Sequence, residues 1–274
     1  MKTIIPSDIS AMQLQQVMQT AIAPRPIALA STINAKGEIN LSPFSFFNMF
    51  STVPPIVIIS PSRRVRDNTT KHTLENLKEV PELIIGNVNF EMVQQVSLAS
   101  TEYEDGINEF IKSGLTMKPA DIVKPPLIVE SPVNFECKVL EIKSLGELGG
   151  AGNLVIAEIV KIHINEKYLD EAGNLDQKQL DLVARLGGNF YSRNNENNIF
   201  EVSKPLVTKG IGYDQLPDEI KQSHIFTGND LGMLANVEIL PNGRFSSEKD
   251  VHLLAQNYLK NNEIENAWNV LKSD

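Results

Sequence analysis

The sequence predicts a mainly β fold, a closed antiparallel barrel with helices attached. Three observations support this. Short apolar or alternating segments recur at 25–32, 56–60, 83–88, 134–143 and 154–164, with the length and β-branched content of strands. Turn chemistry separates several of them, as in the Asn34–Gly37 and Asp170–Asp176 runs. No strand–helix–strand rhythm repeats, which disfavours a doubly wound parallel sheet.

Taken in order, residues 10–20 have the spacing of a short helix, and 25–32 read as a strand with Ile27 and Leu29 set against alanines. Gly37 supplies the freedom a tight turn needs. Residues 40–55 contain Pro43, Pro54 and Pro55, which excludes a regular helix or a central strand there. A strand at 56–60 leads into a basic loop that ends as a helix by residue 80. A strand at 83–88 and helices over 90–100 and 107–113 follow, the last closed by Gly114 in the C-cap position. The alternation in 134–143 slips at Val139–Leu140, which predicts a bulge. The longest strand is expected at 154–164, and Arg185–Tyr191 is a glycine-rich connection.

The chain is expected to divide into residues 1–205 and a C-terminal extension, 206–274. In the extension, 227–243 read as loop, and 247–259 with 263–272 as a helical hairpin broken at Asn261–Asn262. Ile264, Ala267, Trp268 and Leu271 form its apolar stripe. One hairpin is not a repeat array, so it is expected to pack on the barrel or on a neighbouring subunit.

A net charge of −9 over 274 residues argues against general nucleic-acid or membrane-surface binding. No apolar run reaches the ~20 residues of a membrane span, and no signal peptide is recognisable, so a cytoplasmic location is expected. The single cysteine, Cys137, excludes an internal disulfide and a thiolate-rich metal site. The four histidines lack ligand spacing, and no metal is expected. Cys137 alternates with Phe135 and Val139 as a small core residue. The Gly-Glu-Leu-Gly-Gly-Ala-Gly run at 146–152 precedes a strand instead of opening a helix, so it is not a dinucleotide fingerprint.

Two segments carry chemistry. Residues 40–55 collect hydroxyls (Ser42, Ser45, Ser51, Thr52), phenylalanines and the amide of Asn48 on a proline-interrupted backbone. A flavin needs such an apolar wall beside hydrogen-bond donors, although a core turn would use the same residues. Arg63, Arg64, Arg66 and Lys71 fall within nine positions of this acidic chain, with Thr69, Thr70 and Thr73 at a helix start. Together they suit a phosphate, while a solvated charged face is the plainer alternative.

In this order, Arg25–Thr32, Asn40–Pro55, Lys71–Asn76, Tyr103–Leu115, Pro125–Val139, Leu154–Ile164 and Arg185–Tyr191 resemble the flavin reductase-like, FMN-binding split-barrel family over about residues 20–205. The resemblance implies a six-stranded antiparallel split barrel and a homodimer with FMN near its interface. It also implies reduction of the flavin by NADH or NADPH. It assigns Ser42, Pro43, Phe44 and Ser45 to the isoalloxazine edge, and Asn48 and Ser51 to the ring edge or ribityl chain. Arg64, Lys71 and Thr73 are assigned to the phosphate, with Asn76 supporting and Arg25 and Thr32 contributing. This chain has Lys71-His72-Thr73 where the family often has Lys-Asp-Thr, and Ala157-Glu158 where Gly-Glu is common. His163, on the outward parity of its strand, is a candidate for nicotinamide docking or an ordinary strand histidine. With flavin-based chemistry no catalytic triad is expected. The alternatives are a flavoredoxin-like FMN electron carrier that takes electrons from a protein redox partner and has no nicotinamide site, an FMN oxidase or isomerase, and an adaptor whose tail binds a partner.

Overall fold

A computed structural model of the chain describes residues 1–202, 205 and 208–273. It separates into two compact units, Met1–Ile199 and Phe200–Asp274. The boundary read from the sequence lies beside Leu206, which is outside the described residues.

The first unit is built on one antiparallel sheet of seven strands: β1 (Ala28–Ile33), β2 (Ile39–Phe44), β3 (Phe47–Thr52), β4 (Pro55–Ile59), β5 (Glu82–Asn87), β6 (Val133–Ser144) and β7 (Asn153–Ile164). Their order is β2-β1-β5-β6-β7-β4-β3. Among the described residues this sheet is not closed, β2 and β3 being its open edges, and it has seven strands where six were expected. The difference arises in residues 40–55, which form most of β2, all of β3 and the first residue of β4 instead of an irregular segment. Pro43 lies in β2, where an edge position tolerates its missing N–H.

Side-chain alternation makes β1 a two-faced core strand. Leu29 packs with Leu41, Ile84, Met92 and Phe110 on one face. Ala28 and Ala30 pack with Phe44, Ile59, Leu74, Leu77 and Ile85 on the other. Helix α1 (Ala11–Ala21) starts at a Ser10–Gln13 capping box. Helix α2 (His72–Glu79) buries Leu74 and Leu77. Helices α3 (Val93–Ala99) and α4 (Glu109–Ser113) cover the first face, and Gly114 ends α4 in the left-handed region at φ 70°. The β6–β7 register shifts at Leu140, where the alternation broke. Cys137 is buried in the second core, and burial pushes its thiol up to about 12.

The second unit packs α5 (Gly228–Ala235), α6 (Lys249–Lys260) and α7 (Ile264–Leu271) around Trp268. The hairpin and its stripe agree with the sequence reading, Ala267, Trp268 and Leu271 being buried. The loop reading of 227–243 is corrected at its start. Thr227 and Asp230 form a reciprocal cap, and Leu231 and Leu234 are buried, so 228–235 is helical despite two glycines. No helix among the described residues is long and apolar enough to cross a membrane.

Candidate functional site

The site is a cleft of about 370 Å³ where five elements of the first unit meet. The end of β2 and its turn supply Pro43, Phe44, Ser45 and Phe46. The exit of β4 supplies Ser60, Ser62 and Arg63–Arg66. Lys71 stands at the start of α2, and Gln15 and Gln19 come from α1. Glu102 follows α3. One end is thus aromatic and hydroxylic and the other cationic.

The cationic end is preorganised by its own backbone. Arg64 N–H donates to the Thr69 carbonyl (2.9 Å) and its carbonyl accepts from Asn68 N–H (2.9 Å). Its Nη1 donates to Thr69 Oγ1 (2.9 Å) and the Thr70 carbonyl (2.5 Å). The 146–152 glycine run clamps this loop from outside. Arg63 N–H donates to the Ala151 carbonyl (2.8 Å), and Gly150 N–H to the Arg63 carbonyl (3.0 Å). Gly149 approaches the Arg64 and Val65 backbone so closely that a Cβ would lie 3.0 Å from the Arg64 oxygen. The role of this run is to pack against the basic loop.

Glu102 faces three cations: Arg64 Nε at 2.8 Å, Arg66 Nη2 at 3.1 Å and Lys71 Nζ at 3.7 Å. Arg64's hydrogen bond, then the surrounding positive charge, holds the Glu102 carboxyl below its ordinary range. Burial, then repulsion from Arg64, lowers Lys71. Arg66 also pairs with Asp67 at 2.9 Å. The Arg63 side chain donates to the Asn68 side-chain and backbone oxygens and, among the described residues, pairs with no carboxylate. Arg64, Arg66 and Lys71 thus share two carboxylates, Glu102 and Asp67.

The residues assigned from the sequence fall into three groups. Pro43, Phe44, Ser45, Arg64 and Lys71 line the cleft, and Ser42 and Thr73 line a small cavity behind it with Arg64 and Lys71. Asn48 and Ser51 lie on β3, outside the cleft wall; Asn48 is exposed and its Oδ1 accepts from Met49 N–H (2.9 Å). Arg25, Thr32 and Asn76 hold the surroundings together. Arg25 donates through Nη1 to the carbonyls of Gln19 and Ile22, through Nη2 to that of Leu186 (2.9 Å) and through Nε to Ser45 Oγ (3.4 Å). It thereby fixes α1 against the Ser45 turn. Asn76 Nδ2 donates to Thr32 Oγ1 (3.2 Å) in the interior.

A buried network backs the cleft. Thr73 Oγ1 donates to Asn40 Oδ1 (2.7 Å). Asn40 Nδ2 donates to Glu109 Oε1 (2.7 Å), and Leu41 N–H to Glu109 Oε2 (2.8 Å). Burial raises the Glu109 carboxyl from its ordinary value. His163 is not in the cleft wall. Its Nε2 lies 2.6 Å from Oε1 of the fully buried Glu136. Asp121 joins them within 4.8 Å, but Glu136 already accepts from the N–H groups of Asp121, Ile122 and Val123, and Asp121 pairs with Lys161 at 2.5 Å. With Lys161 the three form a hydrogen-bonded brace.

The family model for the flavin reductase like domain matches residues 20–200. The chain belongs to the flavin reductase-like family. An uncharacterised protein of Halalkalibacterium halodurans is 31% identical over 206 residues, covering 74% of this chain and 97% of that one. The 2-nitrobenzoate 2-nitroreductase NbaA of Pseudomonas fluorescens superposes with a TM-score of 0.67 at 25% identity, over 77% of this chain and 100% of its own. Nitrilotriacetate monooxygenase component B from Bacillus cereus shares the fold, with a TM-score of 0.68 at 24% identity over 74% and 98% of the two chains.

The cleft of this flavin reductase-like chain fits a flavin. Phe44 gives an apolar wall. Ser62 Oγ is buried without a hydrogen-bond partner among the described residues, a costly state that a polar ligand would relieve. Arg64 and Lys71 stand at the other end, cations of the kind that suit a phosphate. Gln15, Gln19, Ser60, Ser62 and Glu102 are the lining residues missed in the sequence. The i, i+4 spacing of Gln15 and Gln19 could have revealed a shared helix face. Glu102 meets its cations only through the fold.

Proposed function

We propose that the protein is an FMN-dependent oxidoreductase that oxidises NADH or NADPH, a flavin reductase working as a homodimer. The observation that carries this reading is one cleft joining an aromatic wall, a buried unpartnered hydroxyl and surplus cations. Bound FMN would supply the hydride-accepting ring. Pro43 and Phe44 wall its face and exclude water. The hydroxyls of Ser42, Ser45 and Ser62 hydrogen-bond the ring edge and ribityl chain. Arg64 and Lys71 hold the phosphate, and the Asn40–Thr73–Glu109 network fixes the start of α2 beneath them. Arg25 keeps α1, with Gln15 and Gln19, across the opening.

The homodimer reading rests on β3. This open edge strand exposes Met49, Phe50 and, just beyond its end, Val53, an apolar row of the kind a second copy covers. Sedimentation of the wild type and Phe50→Glu tests it: a dimer that becomes monomeric is expected, and a monomeric wild type would reject it.

The main test is a visible spectrum followed by anaerobic addition of NADH or NADPH. Flavin bands near ~450 nm that bleach with either nucleotide are expected. Bands that persist until dithionite is added would replace the reductase reading with an electron carrier. Protein that is colourless and does not bind added FMN would reject both.

A further inference from the structure

We propose that Glu102 sets the affinity for flavin phosphate: its carboxylate competes with the phosphate for Arg64 and Lys71, and so keeps FMN exchangeable. This rests on the reading of the cleft as an FMN site. Glu102 is part of the wall of both the cleft and the small cavity behind it. Its Oε1 faces Arg64 Nε at 2.8 Å and Lys71 Nζ at 3.7 Å. Both are far less exposed than Arg66, with side chains 17% and 31% exposed against 76%. Among the described residues the Lys71 ammonium donates no hydrogen bond within 3.5 Å, so its nearest anion is a carboxylate slightly too far away. A phosphate drawn to the same pair must displace the Glu102 side chain or accept a like charge beside it. Either course weakens binding of the phosphorylated flavin without touching the ring end.

The location of Glu102 favours competition over support. Arg64 is already oriented by Thr69 and Thr70 through Nη1 and by its backbone bonds to Thr69 and Asn68, so it does not need Glu102 to stay in place. The carboxylate side chain is 42% exposed, and an exposed pair of this kind contributes little to folding stability.

The sign of one charge-removing substitution decides the matter. Glu102→Gln keeps the shape and one oxygen acceptor for Arg64. Dissociation constants for FMN and riboflavin would be measured by flavin fluorescence quenching on the full chain, with melting curves as a folding check. FMN is expected to bind about tenfold tighter to Glu102→Gln, with slower release, and riboflavin to change less than about twofold. The FMN gain should shrink in high salt. Unchanged or weaker FMN binding by the variant, with the wild type still binding FMN, would overturn the competition and make Glu102 a support for Arg64. Failure of the wild type to bind either flavin would instead remove the cleft reading, and this inference with it.

Discussion

Glu136 and Glu102 each stand at the centre of a polar cluster, and the two clusters work in opposite ways. Glu136 is fully buried on β6, and its partners are complete: three consecutive backbone N–H groups and His163. Glu102 is half exposed and outnumbered, with Arg64, Arg66 and Lys71 around one carboxylate. A buried charge persists only when every partner is present. A cleft that recruits an anion needs the reverse, cations whose internal partners do not satisfy them. The molecule thus separates a brace that fixes the sheet from a cluster left open to a ligand.

Breaking the brace should have the largest effect. Glu136→Ala leaves three N–H groups without their acceptor and is expected to cost about 3 kcal/mol or more in urea unfolding, with Glu136→Gln costing less. Burial opposes ionisation of Glu136, but the His163 bond and the three backbone N–H groups outweigh it and hold the carboxyl at about 2, below its ordinary 4.5. A depressed folded value means that the contribution is present above 4.5 and is lost as pH falls toward about 2. Wild-type stability should therefore drop across that window more steeply than that of Glu136→Gln. Equal slopes would show that the brace does not depend on the charge.

Removing a cation from the open cluster should affect binding and leave folding nearly unchanged. Lys71→Ala is expected to weaken FMN by about 10- to 100-fold, the range of one charge-assisted bond. Riboflavin binding and the melting temperature should change little. Equal losses for FMN and riboflavin would move Lys71 from the phosphate to the ring.

The strands, most helices and the bulge at Leu140 were legible because alternation, helical spacing and cap residues act locally. The cleft was legible where its residues are sequence neighbours, as in Ser42–Ser45 and Arg64–Lys71. What the sequence hid depends on distant segments meeting. Glu102 reaches Arg64 across 38 positions, and Glu136 reaches His163 across 27. Contacts of Arg25, Thr32 and Asn76 were hidden in the same way: Arg25 donates to the carbonyls of Ile22 and Leu186, and Asn76 to Thr32 Oγ1 across 44 positions. The edge strands were hidden for a related reason: the prolines in 40–55 exclude a central strand but are compatible with an edge, and only the sheet order shows that β2 and β3 are edges.

The smallest effect expected is at Gly149, and it tests whether the open cluster is held as firmly as the brace. A Cβ there would stand 3.0 Å from the Arg64 oxygen and 3.1 Å from Val65 Cα, both backbone atoms that cannot rotate away. Gly149→Ala must therefore push the basic loop outward by a few tenths of an ångström. The neighbouring hydrogen bonds from Arg63 N–H to Ala151 and from Gly150 N–H to Arg63 would resist this. Since phosphate binding depends on where Arg64 points, FMN affinity should fall by about threefold, with a stability change below about 1 kcal/mol. An unchanged affinity would mean that the loop yields freely and that the cations find the phosphate by adjustment, not preorganisation. A loss as large as that of Lys71→Ala would instead make the glycine clamp as important to the site as the charges it positions.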